Sequence, residues 1–269
     1  MNEAFNQKDI SYLHIEKWQE LNPNLRVGFT TRKGGISKEP FKSFNLGLHV
    51  PDDKNDVIKN RQLLSSKLDI PLDDWVAGEQ IHSNRIKIIN NKDKGRGAVS
   101  FQDSLESIDG IITNQAGILC TAFFADCVPL FFFDPVSNYI GIAHAGWKGT
   151  VNRIAEQMVL KLQEAEVDIS NLLVAIGPCI SQKAYEVDDY VINHLSKEMI
   201  DKTAIKTKHN HYLLDLKQLN VEILLQCNVL RNNIDITNYC TLRDESLFFS
   251  HRRDNGKTGR MLGYIGYKP

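Results

Sequence analysis

The stretch LCTAFFADCVPLFFFDPVSNYIGIAH, residues 119–144, decides the fold. Leu119 to Phe124, Val128 to Asp134 and Tyr139 to His144 are each rich in β-formers and bounded by turn residues, so three successive strands are expected. Asp134-Pro135 and Ser137-Asn138 predict a tight hairpin between the last two. The apolar run Val128-Pro129-Leu130-Phe131-Phe132-Phe133 reads as a buried strand and is far too short to cross a bilayer.

Upstream, Leu25 to Thr30 alternates as a strand should, and the first 23 residues look peripheral. Residues 31–53, TRKGGISKEPFKSFNLGLHVPDD, form a long Gly-, Pro- and Lys-rich connection, uncommon in a domain unless it binds something. Asp52 or Asp53 is placed to cap a helix through Leu68, with Val57, Arg61, Leu64 and Leu68 at helical spacing. Asp74–Ala77, Arg85–Ile89 and Ile108–Thr113 read as further strands.

Downstream, Thr150 stands where an N-cap should, ahead of a stripe of Val151, Ile154, Ala155, Met158, Val159 and Leu162. Leu172–Gly177 reads as a strand, Val187–Met199 and Leu216–Leu230 as helices. The tail predicts a strand at LFFS (247–250), a charged turn HRRDNGKTGR (251–260) and a last strand MLGYIGY (261–267). The expected fold is α+β: one layered α/β domain over residues 1–269 with mixed sheets. The regular strand–helix alternation of a Rossmann fold is missing between Asp74 and His144.

With 269 residues the chain can bury about three quarters of its unfolded surface. Its 32 basic and 33 acidic side chains leave a formal charge of -1, which demands neither nucleic acid nor an acidic membrane as partner. The N-terminus lacks the basic and apolar regions of a signal peptide, and the five cysteines form no CxxC pair, so a reducing cytoplasmic setting is expected.

Three segments place coordinating side chains at the ends of apolar strands: GEQIHSNRI with His82, FFADCVPLFFF with Asp126 and Cys127, and IGIAHAGWKGT with His144. Polar groups amid buried strands must be paired or bound, and thiolate with neutral imidazole is a natural donor set for zinc. Taken singly, each is as readily a structural residue, and spacings of 45 and 17 residues match no short zinc motif. Asp126 is a candidate for proton transfer or for orienting a ligand histidine.

The pieces TTRKGGIS, FNLGLHVPDD, Asn60-Arg61, ADCVP, AHAGWKGT, IGPCI and TGR occur in this order along nearly the whole chain. Together they make it resemble the YfiH-like family, also called the multicopper polyphenol oxidase or laccase-like family, which includes human FAMIN. The resemblance implies a fold similar to the catalytic domain of cytotoxic necrotising factor. It also implies a metal held by His82, Cys127 and His144, taken as zinc with copper possible. Gln80-Ile81-His82-Ser83 stands where the family commonly has Gln-Val-His-Gly.

The activity implied is that of a purine nucleoside phosphorylase on adenosine, inosine or methylthioadenosine, with zinc-dependent adenosine deamination. His82, Cys127, His144 and Asp126 are then the catalytic candidates. Arg32, Asn45, Lys148, Arg252 and Arg253 are candidates for phosphate and substrate, since guanidinium and ammonium groups suit phosphate. Partners are thus a purine nucleoside and phosphate, with no nucleic acid or membrane. A copper oxidase is one alternative, though only His82 and His144 among eight histidines have strong contexts, and His49 and His251 would have to fold towards them. A cysteine-type hydrolase correcting peptidoglycan precursors, with Cys127 as nucleophile, is another.

Overall fold

Residues 3–269 are described by a computed structural model. One sheet runs in the order β1 (Asn6–Asp9), β2 (Tyr12–His14), β3 (Leu25–Thr30), β15 (Met261–Tyr267), β7 (Leu119–Phe124) and β4 (Trp75–Ala77). A second runs β14 (Ile234–Ile236), β10 (Leu173–Ile176), β8 (Val128–Phe133), β9 (Ile140–Ala145), β6 (Gly110–Thr113) and β5 (Ile86–Ile88). Both are mixed: β4 pairs with β7, β5 with β6 and β10 with β14 in parallel, and the remaining neighbours are antiparallel. β11 (Glu186–Asp188), β13 (His211–Leu214) and β12 (Ala204–Lys208) form a small third sheet. The helices are α1 (Glu16–Leu21), α2 (Lys54–Leu68), α3 (Trp147–Val151), α4 (Ile154–Glu164), α5 (Asp189–Ile192), α6 (Lys197–Thr203) and α7 (Leu216–Gln226). This is the α+β class with mixed sheets that the sequence predicts.

The apolar run in β8 is explained by its two partners. Phe131 and Phe133 point into a core shared with Val27 and Phe29 of β3 and Phe124 of β7, between the two large sheets. Val128, Leu130 and Phe132 point the other way, against Ile154, Met158 and Leu162 of α4 and Leu219 and Leu224 of α7. A strand covered on both faces has no polar side to show. Leu64 and Leu68 of α2 close the outer face of the first sheet over Phe123 and Leu262. The layers are therefore helix, sheet, sheet, helix.

Several expectations need correction. The N-terminal residues are not peripheral: Phe5 stacks on Phe131 and Trp18 on Phe133, each pair 5.6 Å between centroids, and both are fully buried. Thr150 lies inside α3 and donates to the Ala145 carbonyl instead of capping; α4 starts only after Arg153, whose φ is +61°. Residues 187–199 form no single helix, because Val187 pairs with Tyr212 of β13, Asp188 caps α5 and Ser196 caps α6. Helix α7 stops at Gln226, just before Asn228 turns left-handed at φ +64°. LFFS is not a strand: the Arg253 guanidinium takes the Phe248 carbonyl and the Met261 sulfur accepts the Phe249 N–H.

Candidate active site

Asp53 caps α2, accepting from the N–H groups of Asn55 and Asp56. Two neighbours in that helix then pin the long 31–53 connection. The Asn60 amide donates to Ser37 Oγ and to the carbonyls of Ser43 and Asn45, and accepts the Ile36 N–H. The fully buried Arg61 donates to the carbonyls of Leu46, Gly97 and Ala98 and lies 4.7 Å over the Phe123 ring. Held this way, the connection needs no secondary structure of its own, and it brings His49 to the wall of a cavity of about 560 Å³. That is an ordinary size for a small-molecule site.

His82, Cys127 and His144 meet in this cavity, and their donor atoms lie within 4.8 Å of one another. His82 sits on the loop after β4, Cys127 at the β7–β8 turn and His144 in β9. Cys127 Sγ is 3.8 Å from His82 Nε2, and the two imidazole rings are 4.7 Å apart at 75°. Gly146 makes the approach possible: a Cβ there would stand 2.7 Å from His82 Cδ2 and 3.0 Å from Cys127 Sγ. Two imidazole nitrogens and one thiol at this separation suit zinc, whose tetrahedral ligand atoms lie roughly 3.3–3.7 Å apart.

Asp109, a residue the sequence reading passed over, organises the cluster. Its side chain is fully buried, and its two oxygens accept from the N–H groups of Ile81 (3.2 Å), His82 (3.1 Å) and Ser83 (2.7 Å) and from Ser83 Oγ (2.7 Å). Oδ1 also lies 2.9 Å from His144 Nδ1. The carboxylate thus fixes the His82 loop, with His82 itself at φ +63°, and leaves Nε2 as the free nitrogen of His144. Ser83 in place of glycine adds a hydroxyl donor to this set.

Burial alone would raise the Cys127 thiol, but the His144 charge and hydrogen bonds from both histidines prevail and hold it well below the ordinary thiol range. Burial would likewise lower His144, but the Cys127 charge and the bond to Asp109 prevail and raise it. Without metal the pair favours thiolate and imidazolium. His49 is shifted downward, first by burial and then by the charges of Arg260 and Arg61, so it is neutral near pH 7.

Asp126 adopts φ +85° at the β7–β8 turn, which lets it line the same cavity as Cys127 despite strand alternation. Three donors already occupy its oxygens: Thr241 Oγ1 at 2.6 Å, Ser250 Oγ at 2.9 Å and the Arg252 N–H at 2.7 Å. That makes it an anchor for the 241–252 segment.

The anion candidates divide. Lys148 and Arg252 line the cavity; Arg252 stacks over Tyr185 at 5.2 Å and donates to the Glu186 carbonyl. Arg32 and Arg253 do not line it. Arg32 donates to the carbonyls of Lys42 and Glu245 and stacks on Phe249, while Arg253 is engaged by the carbonyls of Thr241, Leu242 and Phe248 and by Asp254. Asn45 is fully buried away from the cavity, its Oδ1 accepting the N–H groups of Gly47 and Arg260. His49 and His251 do reach the lining, as do Gln80, Trp147, Tyr185 and Arg260; of these last four, Gln80, Trp147 and Arg260 lie in the quoted motifs without being named as site candidates, and Tyr185 lies outside them.

A family model described as multi-copper polyphenol oxidoreductase laccase matches residues 26–268. A Bacillus subtilis protein described as purine nucleoside phosphorylase YlmD is 43% identical over 264 residues, covering 96% of this chain and 95% of its own length. Two crystal structures have TM-scores of 0.95 and 40% identity: YlmD from Geobacillus stearothermophilus, covering 100% of both chains, and the Bacillus licheniformis hypothetical protein YfiH, covering 99% of this chain and 100% of its own. No helix among the described residues is long and apolar enough to cross a membrane.

Proposed function

Because the chain belongs to the YfiH-like, multi-copper polyphenol oxidoreductase laccase family, we propose that it is a purine nucleoside phosphorylase. The observation that carries the reading is the site itself: one cavity that joins the His82–Cys127–His144 cluster to an apolar wall and to cations. We assign residues 1–269 to one catalytic domain, since strands from both ends of the chain build the sheets around this cavity.

In phosphorolysis a phosphate oxygen bonds to C1′ of the sugar while the C1′–N9 bond breaks. Its electron pair leaves with the purine, which takes up a proton, and the sugar departs as its 1-phosphate. Trp147, Tyr185, Ile180 and Leu216 offer the base an apolar surface, and Lys148 and Arg252 attract the anion at the mouth. Asp126 serves by holding Arg252.

The same cavity is assigned a second reaction, release of ammonia from adenosine by water. His82, Cys127 and His144 would hold the metal, zinc by their chemistry, with Asp109 orienting both histidines. Zinc held there would supply Lewis acidity and the means to activate water near neutral pH. Copper would also bind such donors, but among the described residues this is the one cluster of metal-binding side chains. A laccase-type relay of several coppers has no second site there.

A rival reading has its own observation. Cys127, His144 and Asp109 stand in series as a thiol, an imidazole and its orienting carboxylate, the arrangement of a cysteine hydrolase. The two are separated by incubating the zinc-loaded protein with adenosine, with and without phosphate, and resolving adenine, inosine, hypoxanthine and ribose 1-phosphate by chromatography. Adenine and ribose 1-phosphate only with phosphate, and inosine in either case, are expected. Absence of all four, with a covalent adduct on Cys127 after exposure to peptide amides, would put the hydrolase first.

A further inference from the structure

Arg260 was not singled out in the sequence, yet it is the cation set deepest in the site. It immediately precedes the last strand β15 and lines the cavity, half-buried. Its Nη1 is steadied by the carbonyls of Thr258 (2.8 Å) and Gly259 (3.1 Å). Among the described residues no carboxylate forms an ion pair with it, and its Nε and Nη2 have no hydrogen-bond partner. The other arginines of this region differ. Arg61 is satisfied by three carbonyls and Arg253 by three carbonyls and Asp254, while Lys148 and Arg252 are exposed at the mouth.

The arginine is also held in place by a device reaching across the chain. Asn45 Oδ1 accepts the Gly47 N–H at 3.1 Å and the Arg260 N–H at 2.8 Å, joining the FNLG turn to the TGR segment. Gly47 is required by the contact: a Cβ there would come within 2.8 Å of Arg260 Cγ, 2.9 Å of its Cβ and 3.2 Å of His49 Cε1. His49 stands beside the guanidinium on the same wall, packed against Phe101 and Phe123 at 5.9 Å. Cys127 and Asp126 are the negative groups that act on the guanidinium from a distance, neither bonded to it; a partly desolvated cation with no directly paired anion is costly, and a guanidinium fork is suited to a tetrahedral oxyanion.

We propose that Arg260 is the phosphate-binding residue of the cavity, with His49 as a hydrogen-bond donor beside it and Asn45 and Gly47 as positioning residues. The proposal rests on the phosphorylase reading for the identity of the anion as inorganic phosphate, the group that attacks C1′. It replaces Arg32 and Arg253, whose donors are engaged elsewhere, and leaves Lys148 and Arg252 to guide the anion in.

The test is steady-state phosphorolysis of inosine by the wild type and by Arg260→Gln, Arg260→Lys, Gly47→Ala, Lys148→Ala and Arg252→Ala. Loss of a charge-assisted bond to phosphate predicts that Arg260→Gln raises KM for phosphate about ten- to a hundredfold, with KM for inosine within about twofold. Arg260→Lys should recover part of the loss, since it keeps the charge without the fork. Gly47→Ala should raise KM for phosphate by displacing the arginine. In parallel, inorganic phosphate should raise the Tm of the wild type and not that of Arg260→Gln. Should that variant fail to fold, Arg260→Lys and Gly47→Ala carry the test. An unchanged phosphate KM and Tm response in the Arg260 variants, or a larger effect in Lys148→Ala or Arg252→Ala, would overturn the proposal. If the wild type cleaves no nucleoside, the phosphorylase reading falls, and the Tm response alone then decides whether Arg260 binds the anion.

Discussion

Replacing Asp109 by Asn keeps the size of the side chain and removes one of its two acceptor oxygens. If the amide nitrogen takes the Oδ1 position, it faces the His82 N–H and His144 Nδ1; at the Oδ2 position it faces the N–H groups of Ile81 and Ser83. Either way at least two hydrogen bonds to a buried carboxylate are lost. At about 1.5–3 kcal/mol each, the gross loss is about 3–6 kcal/mol, an upper bound because the His82 loop can relax. Part of that loss falls on folding and part on the geometry of the donors, and loss of such supporting groups commonly costs ten- to a hundredfold in metal affinity. Zinc affinity measured by competition with a chromophoric chelator should therefore drop about ten- to a hundredfold in Asp109→Asn. Denaturant unfolding of the metal-free protein should show a loss of about 2 kcal/mol or more. Zinc affinity within twofold of wild type, with an unmoved unfolding midpoint, would refute the organising role given to Asp109.

In metal-free protein the lowered Cys127 pKa keeps the thiolate present as pH falls, so its alkylation rate at pH 7 should stay within about twofold of that at pH 9. An ordinary thiol would slow roughly twenty-five-fold over that range, and mass spectrometry after alkylation distinguishes the two; bound zinc should block the reaction. Gly146→Ala should lower zinc affinity about tenfold while circular dichroism stays native, since its Cβ would collide with His82 and Cys127. Arg61→Met leaves three buried carbonyls without their donor and should cost about 3 kcal/mol or more in a denaturant melt, with less than 1 kcal/mol contradicting the pinning role. Arg253→Ala should destabilise the fold by about 2 kcal/mol and leave KM for phosphate within about twofold of wild type.

The parts legible in the sequence are those set by local pattern. β7, β8 and β9 lie where residues 119–144 predict them because turn chemistry at Asp134 and Asn138 is local. The three donors stood out because a polar side chain at the end of a greasy strand is conspicuous. Asp109 did not, because an aspartate before glycine at the start of a strand looks like any turn; only the approach of the 81–83 loop gives it a role. Arg260 was hidden in a charged turn for a similar reason, since its link to Asn45 spans 215 residues. Arg32 and Arg253 stood out because charge shows in a sequence, whereas the carbonyls that occupy it do not. The apparent helix over 187–199 failed where tertiary pairing of Val187 with Tyr212 overrode periodicity.

The most direct test follows phosphorus through the reaction. Inosine and inorganic phosphate are mixed with wild-type protein and with Arg260→Gln, and the phosphorus resonance spectrum is recorded over time. The inorganic phosphate signal should give way to that of ribose 1-phosphate, matched by hypoxanthine release, and do so far more slowly at subsaturating phosphate in the variant. Hypoxanthine released at the same rate without phosphate, or no conversion of phosphate by the wild type, would contradict a phosphorylase built on this site.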